Sequence, residues 1–148
     1  VKKNVNGKNI ILWKGFCPVH HYVKKEEVEN IKAFHQQAKV IVHPECPIEV
    51  INLADGVFST SGMMKFVEAE NAQEFIVGTE FGLIYALKRK NPAKRFYLAS
   101  PKLRCEDMKI IRLEDVYYAL AKEQYKVEIE KEIREEAKKS IDRMLMLS

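Results

Sequence analysis

The sequence predicts an α/β fold built on a short parallel sheet. Three observations carry that prediction. Apolar runs of four or five residues recur along the chain, rich in β-branched and aromatic side chains and with little alternation. Such runs fit strands covered on both faces. Between them lie stretches whose apolar residues repeat every three or four positions, the period of a helix with one buried side. Strand and helix then alternate, which is the signature of βαβ units.

The expected strands are Asn9–Trp13 (NIILW), Lys39–His43 (KVIVH), Glu74–Gly78 (EFIVG) and Arg95–Leu98 (RFYL), with the short pair Val57-Phe58 as a further member. A helix is expected over Val23–Ala38, where Val28, Ile31, Phe34 and Ala38 form one stripe. Pro47–Ala54 opens on a proline, tolerated in a first helical turn, and groups Val50, Ile51 and Ala54. Ser61–Ala69 can start on Ser59-Thr60-Ser61 as a cap. Gly82–Lys90 offers Leu83, Ala86 and Leu87 and stops before Asn91-Pro92. Leu113–Lys122 repeats the pattern with no regular cap. Gln124–Leu147 carries Ile129, Ile133, Ala137, Ile141 and Leu145 every fourth residue among Glu, Lys and Arg, and reads as a long helix packed on one side.

Composition excludes several classes. The 148 residues suffice for one domain with a core, and 47% hydrophobic with 31% charged residues is ordinary globular usage. No apolar run approaches the roughly 20 residues of a membrane span, and the apolar face of the last helix lacks the Trp and Phe of a membrane-surface helix. A net charge of +4 is too mild for a nucleic-acid stripe. Neither membrane nor nucleic acid is an expected partner. Val1-Lys2-Lys3-Asn4 leads into no long apolar stretch, so no signal peptide is expected and the expected compartment is the cytoplasm. The chain begins on Val, and its first expected strand has no partner upstream, as in a fragment or processed product. Three cysteines, Cys17, Cys46 and Cys105, argue against a disulfide framework.

In such sheets ligands sit beyond the carboxyl ends of the strands. There the sequence places Cys17, His20 and His21; then His43, Glu45 and Cys46; then Ser59-Thr60-Ser61-Gly62; then Thr79-Glu80. Thiolates and imidazoles bind soft or borderline metals. Hydroxyls followed by Gly at a helix start suit an anion. Plainer readings stand beside these: a helix cap for Ser59-Thr60-Ser61, a satisfied turn histidine for His43, a first-turn acid for Glu45, and small buried hydrophobes for the cysteines.

The strings WKGFCPVH, VHPEC, ADGVFSTSG, FIVGTEFGL and CEDMK, in this order, resemble the second half of quinolinate synthase. The resemblance runs from about Lys8 to the last helix. It implies three similar αβα units around a pseudo-threefold axis. Residues 1–22 would then end the middle unit and bring one cluster cysteine, and residues 23–148 would form the C-terminal unit with its long terminal helix. It further implies a transferase of NAD (pyridine nucleotide) biosynthesis that condenses iminosuccinate (iminoaspartate) with dihydroxyacetone phosphate to give quinolinate. Each unit would lend one Cys to a [4Fe-4S] cluster whose open iron acts as a Lewis acid. By motif, Cys17 and Cys105 match cluster ligands, and Cys46, following HPE, does not. The family's late motif reads C-P-N-M-K, whereas Glu106 and Asp107 follow Cys105 here. His43 and Glu45 match iminosuccinate-site residues, with Glu45 for proton transfer, and Thr60 matches a substrate-holding hydroxyl with Ser59 as its neighbour. His20 is placed near the site. The third ligand would lie in the missing N-terminal half, so the chain alone is expected to be inactive.

Two other readings compete. Cys17, His20, His43 and Cys46 have a formal two-Cys, two-His spacing for a zinc-dependent hydrolase, with Pro18 and Pro44 against it. A non-catalytic α/β module could instead use the rim to bind a small anion.

Overall fold

A computed structural model of the chain describes residue 11 and residues 14–147. Two compact units appear, residues 1–105 and residues 106–148. The expected strand at Asn9–Trp13 lies, but for Ile11, outside the described residues.

The first unit is an α/β layer around four parallel strands: β1 (Lys39–Val42), β2 (Gly56–Val57), β3 (Glu74–Gly78) and β4 (Arg95–Leu98). Their order in the sheet is β2-β1-β3-β4. Val40 pairs with Ile76, and Ile76 with Tyr97. Side chains alternate across the pleat, so two cores form. Val40, Val42 and Ile76 face one core with Val28, Val50 and Leu103. Ile41, Phe75, Val77 and Phe96 face the other with Met63, Val67 and Leu87. The all-apolar strands of the sequence are therefore strands buried on both sides, as the composition required.

Helices α1 (Pro18–His21), α2 (Lys25–Phe34) and α3 (Ile48–Ile51) supply the first core. Helices α4 (Thr60–Ala69) and α5 (Gly82–Lys90) supply the second. In α2, Val28 and Ile31 pack inward, but Phe34 is 84% exposed and does not belong to the expected stripe. The helix ends at Phe34, and the chain turns at His35, whose ring stacks on Tyr97 at 3.5 Å between centroids. Asp55 ties the β1–β2 crossover. It accepts from the Val40 N–H at 2.8 Å and from Lys39 Nζ at 3.1 Å. Burial alone would raise its carboxyl, but these donors outweigh it and hold the group below the usual carboxylate range.

The strand order has a functional consequence. From β1 the chain passes to β2 on one side and then crosses to β3 on the other. The switch point thus lies between the carboxyl ends of β1 and β3, where open α/β sheets form a crevice. His43 follows β1 and Thr79 follows β3. Gly78 closes the two strands together: a Cβ there would lie 2.8 Å from Val42 Cγ1 and 3.3 Å from Val42 Cα.

The second unit holds a 3-10 turn at Asp107–Lys109, helix α6 (Leu113–Lys122) and helix α7 (Lys131–Met146). The irregular start of α6 is explained by Asp115, whose carboxylate accepts from the Arg112 N–H at 2.8 Å. The last helix begins at Lys131 rather than Gln124. Glu123 ends α6 in the left-handed region (φ 51°) and Tyr125 is also there (φ 64°), so the backbone between cannot continue a helix. The apolar stripe of α7 was expected to pack on one side; Ile133 is 58% and Ile141 53% exposed, and its period records amphipathicity rather than burial within its own unit. Among the described residues, no helix is long and apolar enough to cross a membrane.

Candidate functional site

The switch point gathers residues from three segments. Pro18 opens α1 at a position where a missing N–H costs nothing. That short helix carries His20 inward; the residue is 8% exposed. The turn after β1 is tightened by His43 N–H donating to Gly78 O at 3.1 Å and Cys46 N–H to His43 O at 3.0 Å. It presents His43 and Glu45. The end of β3 presents Thr79, 1% exposed.

The contacts among them are specific. The His20 and His43 rings stack, with centroids 4.0 Å apart and planes 14° off parallel. His20 Nδ1 lies 3.1 Å from Glu45 Oε2, and His20 Nε2 lies 2.9 Å from Thr79 Oγ1. The Glu45 backbone N–H donates to His43 Nδ1 at 3.3 Å. Glu45 Oε2 also lies 3.6 Å from that same nitrogen, beyond hydrogen-bond range. The backbone donor therefore decides the tautomer: a neutral His43 carries its proton on Nε2. Its pKa sits below the ordinary imidazole value, first because burial disfavours the cation and second because the stacked His20 ring disfavours two cations side by side, with Glu45 opposing both. His43 is thus a neutral N–H donor near neutral pH. Glu45 is half exposed, so its carboxylate is both held by His20 and open to solvent.

The three cysteines differ in kind. Cys17 and Cys105 are half-buried free thiols, both packed against the first core. Cys46 is 5% exposed, with Sγ 3.6 Å from Gly78 O. Burial, reinforced by Cys17 and Glu45, pushes its thiol up to about 11 against the His43 backbone hydrogen bond. A metal needs a thiolate, and burial works against forming one at Cys46. Cys17 and Cys105, partly exposed free thiols that each pack against the first core, have the donor chemistry of soft-metal ligands.

The four donors Cys17, His20, His43 and Cys46 do not assemble as a set. Among the described residues, the group whose ligand atoms lie within 4.8 Å of one another is Cys17, His20 and Glu45. Glu45 replaces the expected His43, and Cys46 faces the strand end instead.

Ser59 and Thr60 follow β2, next to β1 in the sheet, and both are exposed. Ser59 caps α4, its Oγ accepting from the Gly62 N–H at 3.3 Å. The capping reading of that serine is therefore real, and it leaves Thr60 on the first helical turn with its side chain outward. Thr79 is the residue whose contact sequence reasoning missed. Its position at a strand end was visible, but nothing local announces a bond to a residue 59 positions away.

A model of the quinolinate synthetase A protein family matches residues 1–146. A quinolinate synthase of Thermodesulfovibrio yellowstonii is 50% identical over 99% of this chain and 48% of its own length. One of Caldicellulosiruptor bescii is 49% identical over 98% of this chain and 48% of its own. One of Methanosarcina barkeri is 44% identical over 93% and 45%. The chain spans about half the length of the curated relatives it matches.

Proposed function

The chain belongs to the quinolinate synthetase A protein family, and from that premise we propose that it forms half of a quinolinate synthase acting in NAD biosynthesis. The whole protein would condense iminosuccinate with dihydroxyacetone phosphate to quinolinate, and its α/β layer would be one of three around a pseudo-threefold axis. The observation that carries the reading is the His20–Glu45–His43 constellation at the switch point, built from the same strings that resemble the family.

Each residue has work it can do. His43, neutral with its proton on Nε2, can donate to a substrate oxygen without bringing a charge. Glu45, anchored by His20 and open to solvent, can take and return a proton. Thr60 and Ser59 stand at a helix start beside the rim, where hydroxyls and backbone N–H groups suit a carboxylate or phosphate. Cys17 and Cys105 would hold two corners of a [4Fe-4S] cluster, the third thiolate coming from the other half. Such a cluster supplies a Lewis-acidic iron that polarises substrate oxygens and eases loss of water. Cys17 and Cys105 each pack against the first core, which limits water beside each thiol.

The test is direct. The 148-residue chain, reconstituted anaerobically with iron and sulfide, is expected to make no quinolinate. Joined to an N-terminal half of the relatives' length, it is expected to turn over. Turnover by the chain alone, or none by the joined protein, contradicts the reading.

A second reading rests on the Cys17, His20 and Glu45 group, whose three donors leave a fourth position open for water, as in catalytic zinc sites. Stoichiometric zinc, with no visible chromophore and no iron uptake by the joined protein, would replace the cluster reading with this one.

A further inference from the structure

We propose that Thr79 is a positioning residue for this site: its hydroxyl holds the His20 ring so that Nδ1 points at Glu45. The proposal rests on Glu45 as the proton-handling carboxylate and deepens that reading by one residue.

The hydrogen bonds that meet the His20 ring come from outside its own helix. Its side chain is buried, and its two ring nitrogens meet two different elements: Glu45 beyond β1 at 3.1 Å and Thr79 beyond β3 at 2.9 Å. With Glu45 ionised, a carboxylate only accepts, so Nδ1 must carry the proton. In the neutral ring Nε2 is then the acceptor, and the buried Thr79 hydroxyl is its donor. The Glu45 carboxylate thus sets the tautomer, and the Thr79 hydroxyl, bonded to the opposite nitrogen, holds the ring in the orientation that keeps Nδ1 on Glu45. The stacked His43 ring fixes the plane but permits the half-turn flip about Cβ–Cγ that exchanges ring nitrogens for ring carbons, so stacking cannot do this alone. A nucleophile or base oriented by a buried third group is a recurrent arrangement. Here the chain of groups runs Thr79–His20–Glu45 across the switch point.

The role predicts a chemical rather than a steric requirement. Thr79→Ser keeps the hydroxyl and removes a methyl. Thr79→Val keeps the shape and removes the hydroxyl, leaving Nε2 buried without a donor.

The test uses the 148-residue chain labelled with nitrogen-15 at histidine, whose four imidazoles are few enough to resolve. The His20 signals are assigned with His20→Gln. Thr79→Val is expected to shift both His20 ring-nitrogen signals, and Thr79→Ser to leave them at their parent positions. Thr79→Ala serves as a second hydroxyl-free variant should Val disturb packing. His20 signals unchanged in both hydroxyl-free variants, or moved equally by Ser and Val, overturn the proposal. These signals are read without turnover, so a failure of the quinolinate reading would show separately, as an inactive joined protein while the His20 signals of the 148-residue chain still follow the hydroxyl.

Discussion

Glu45→Gln, made in the joined protein, is expected to lower quinolinate formation roughly a hundredfold to ten-thousandfold, the usual contribution of a positioned acid–base group. The substitution is nearly isosteric. Its amide oxygen can still accept from His20 Nδ1, now 3.1 Å from the carboxylate, so the turn after β1 should survive. What the amide cannot do is take a proton. The expected pattern is a large fall in kcat, unchanged thermal stability and unchanged His43 backbone contacts. Turnover within about threefold of the parent would remove Glu45 from proton transfer and leave it as a binding group.

Gly78→Ala is expected to destabilise the chain by about 1–3 kcal/mol, the range for overpacking a tight site. The new Cβ would stand 2.8 Å from Val42 Cγ1, where ordinary contacts begin well beyond 3 Å. Val42 is β-branched and rigid at χ1, so it cannot swing away, and its Cα at 3.3 Å cannot move without parting the strands. Gly78 O also accepts from the His43 N–H and faces Cys46 Sγ. Strain there reaches His43 and Thr79 together. Urea unfolding measures the loss, and adding Val42→Ala tests its cause. With the methyl groups gone, the double variant should lose less than the two single losses added. Simple additivity would place the strain somewhere other than the Val42–Gly78 contact.

The sheet was legible because its strands are short apolar runs with no polar face, which leaves few alternatives to burial on both sides. β3 and β4 begin and end where the residues predict, and α5 does too. α4 starts at Thr60, one residue earlier than expected, because Ser59 took the cap alone. Local sequence failed where nonlocal geometry decides. Helix α1 was hidden in the string GFCPVHH, since a one-turn helix opening on Pro18 has no periodicity to show. Phe34 matched the α2 stripe by spacing, yet the helix ends there and turns it outward. Residues 124–130 matched the α7 period but follow left-handed Glu123 and contain left-handed Tyr125, which no hydrophobic pattern reports.

The site divides along the same line. His43 and Glu45 share one turn, and their proximity follows from two-residue spacing. His20 joins them across 25 residues, and Thr79 joins His20 across 59. Position at strand ends brought all four to one edge, but only the order β2-β1-β3-β4 makes the ends of β1 and β3 neighbours. The cysteines show the value of burial as a second criterion. By count, all three are candidates, whereas Cys46 is enclosed and the other two are partly exposed.

The central claim is that Cys17 and Cys105, and not Cys46, hold iron at this site. It is tested most directly by iron and sulfide content of the anaerobically reconstituted joined protein, compared across single substitutions. Cys17→Ser and Cys105→Ser should each abolish the cluster's visible absorption and most bound iron, while Cys46→Ala should keep both. Loss of the cluster in Cys46→Ala with retention in Cys17→Ser or Cys105→Ser would contradict the account.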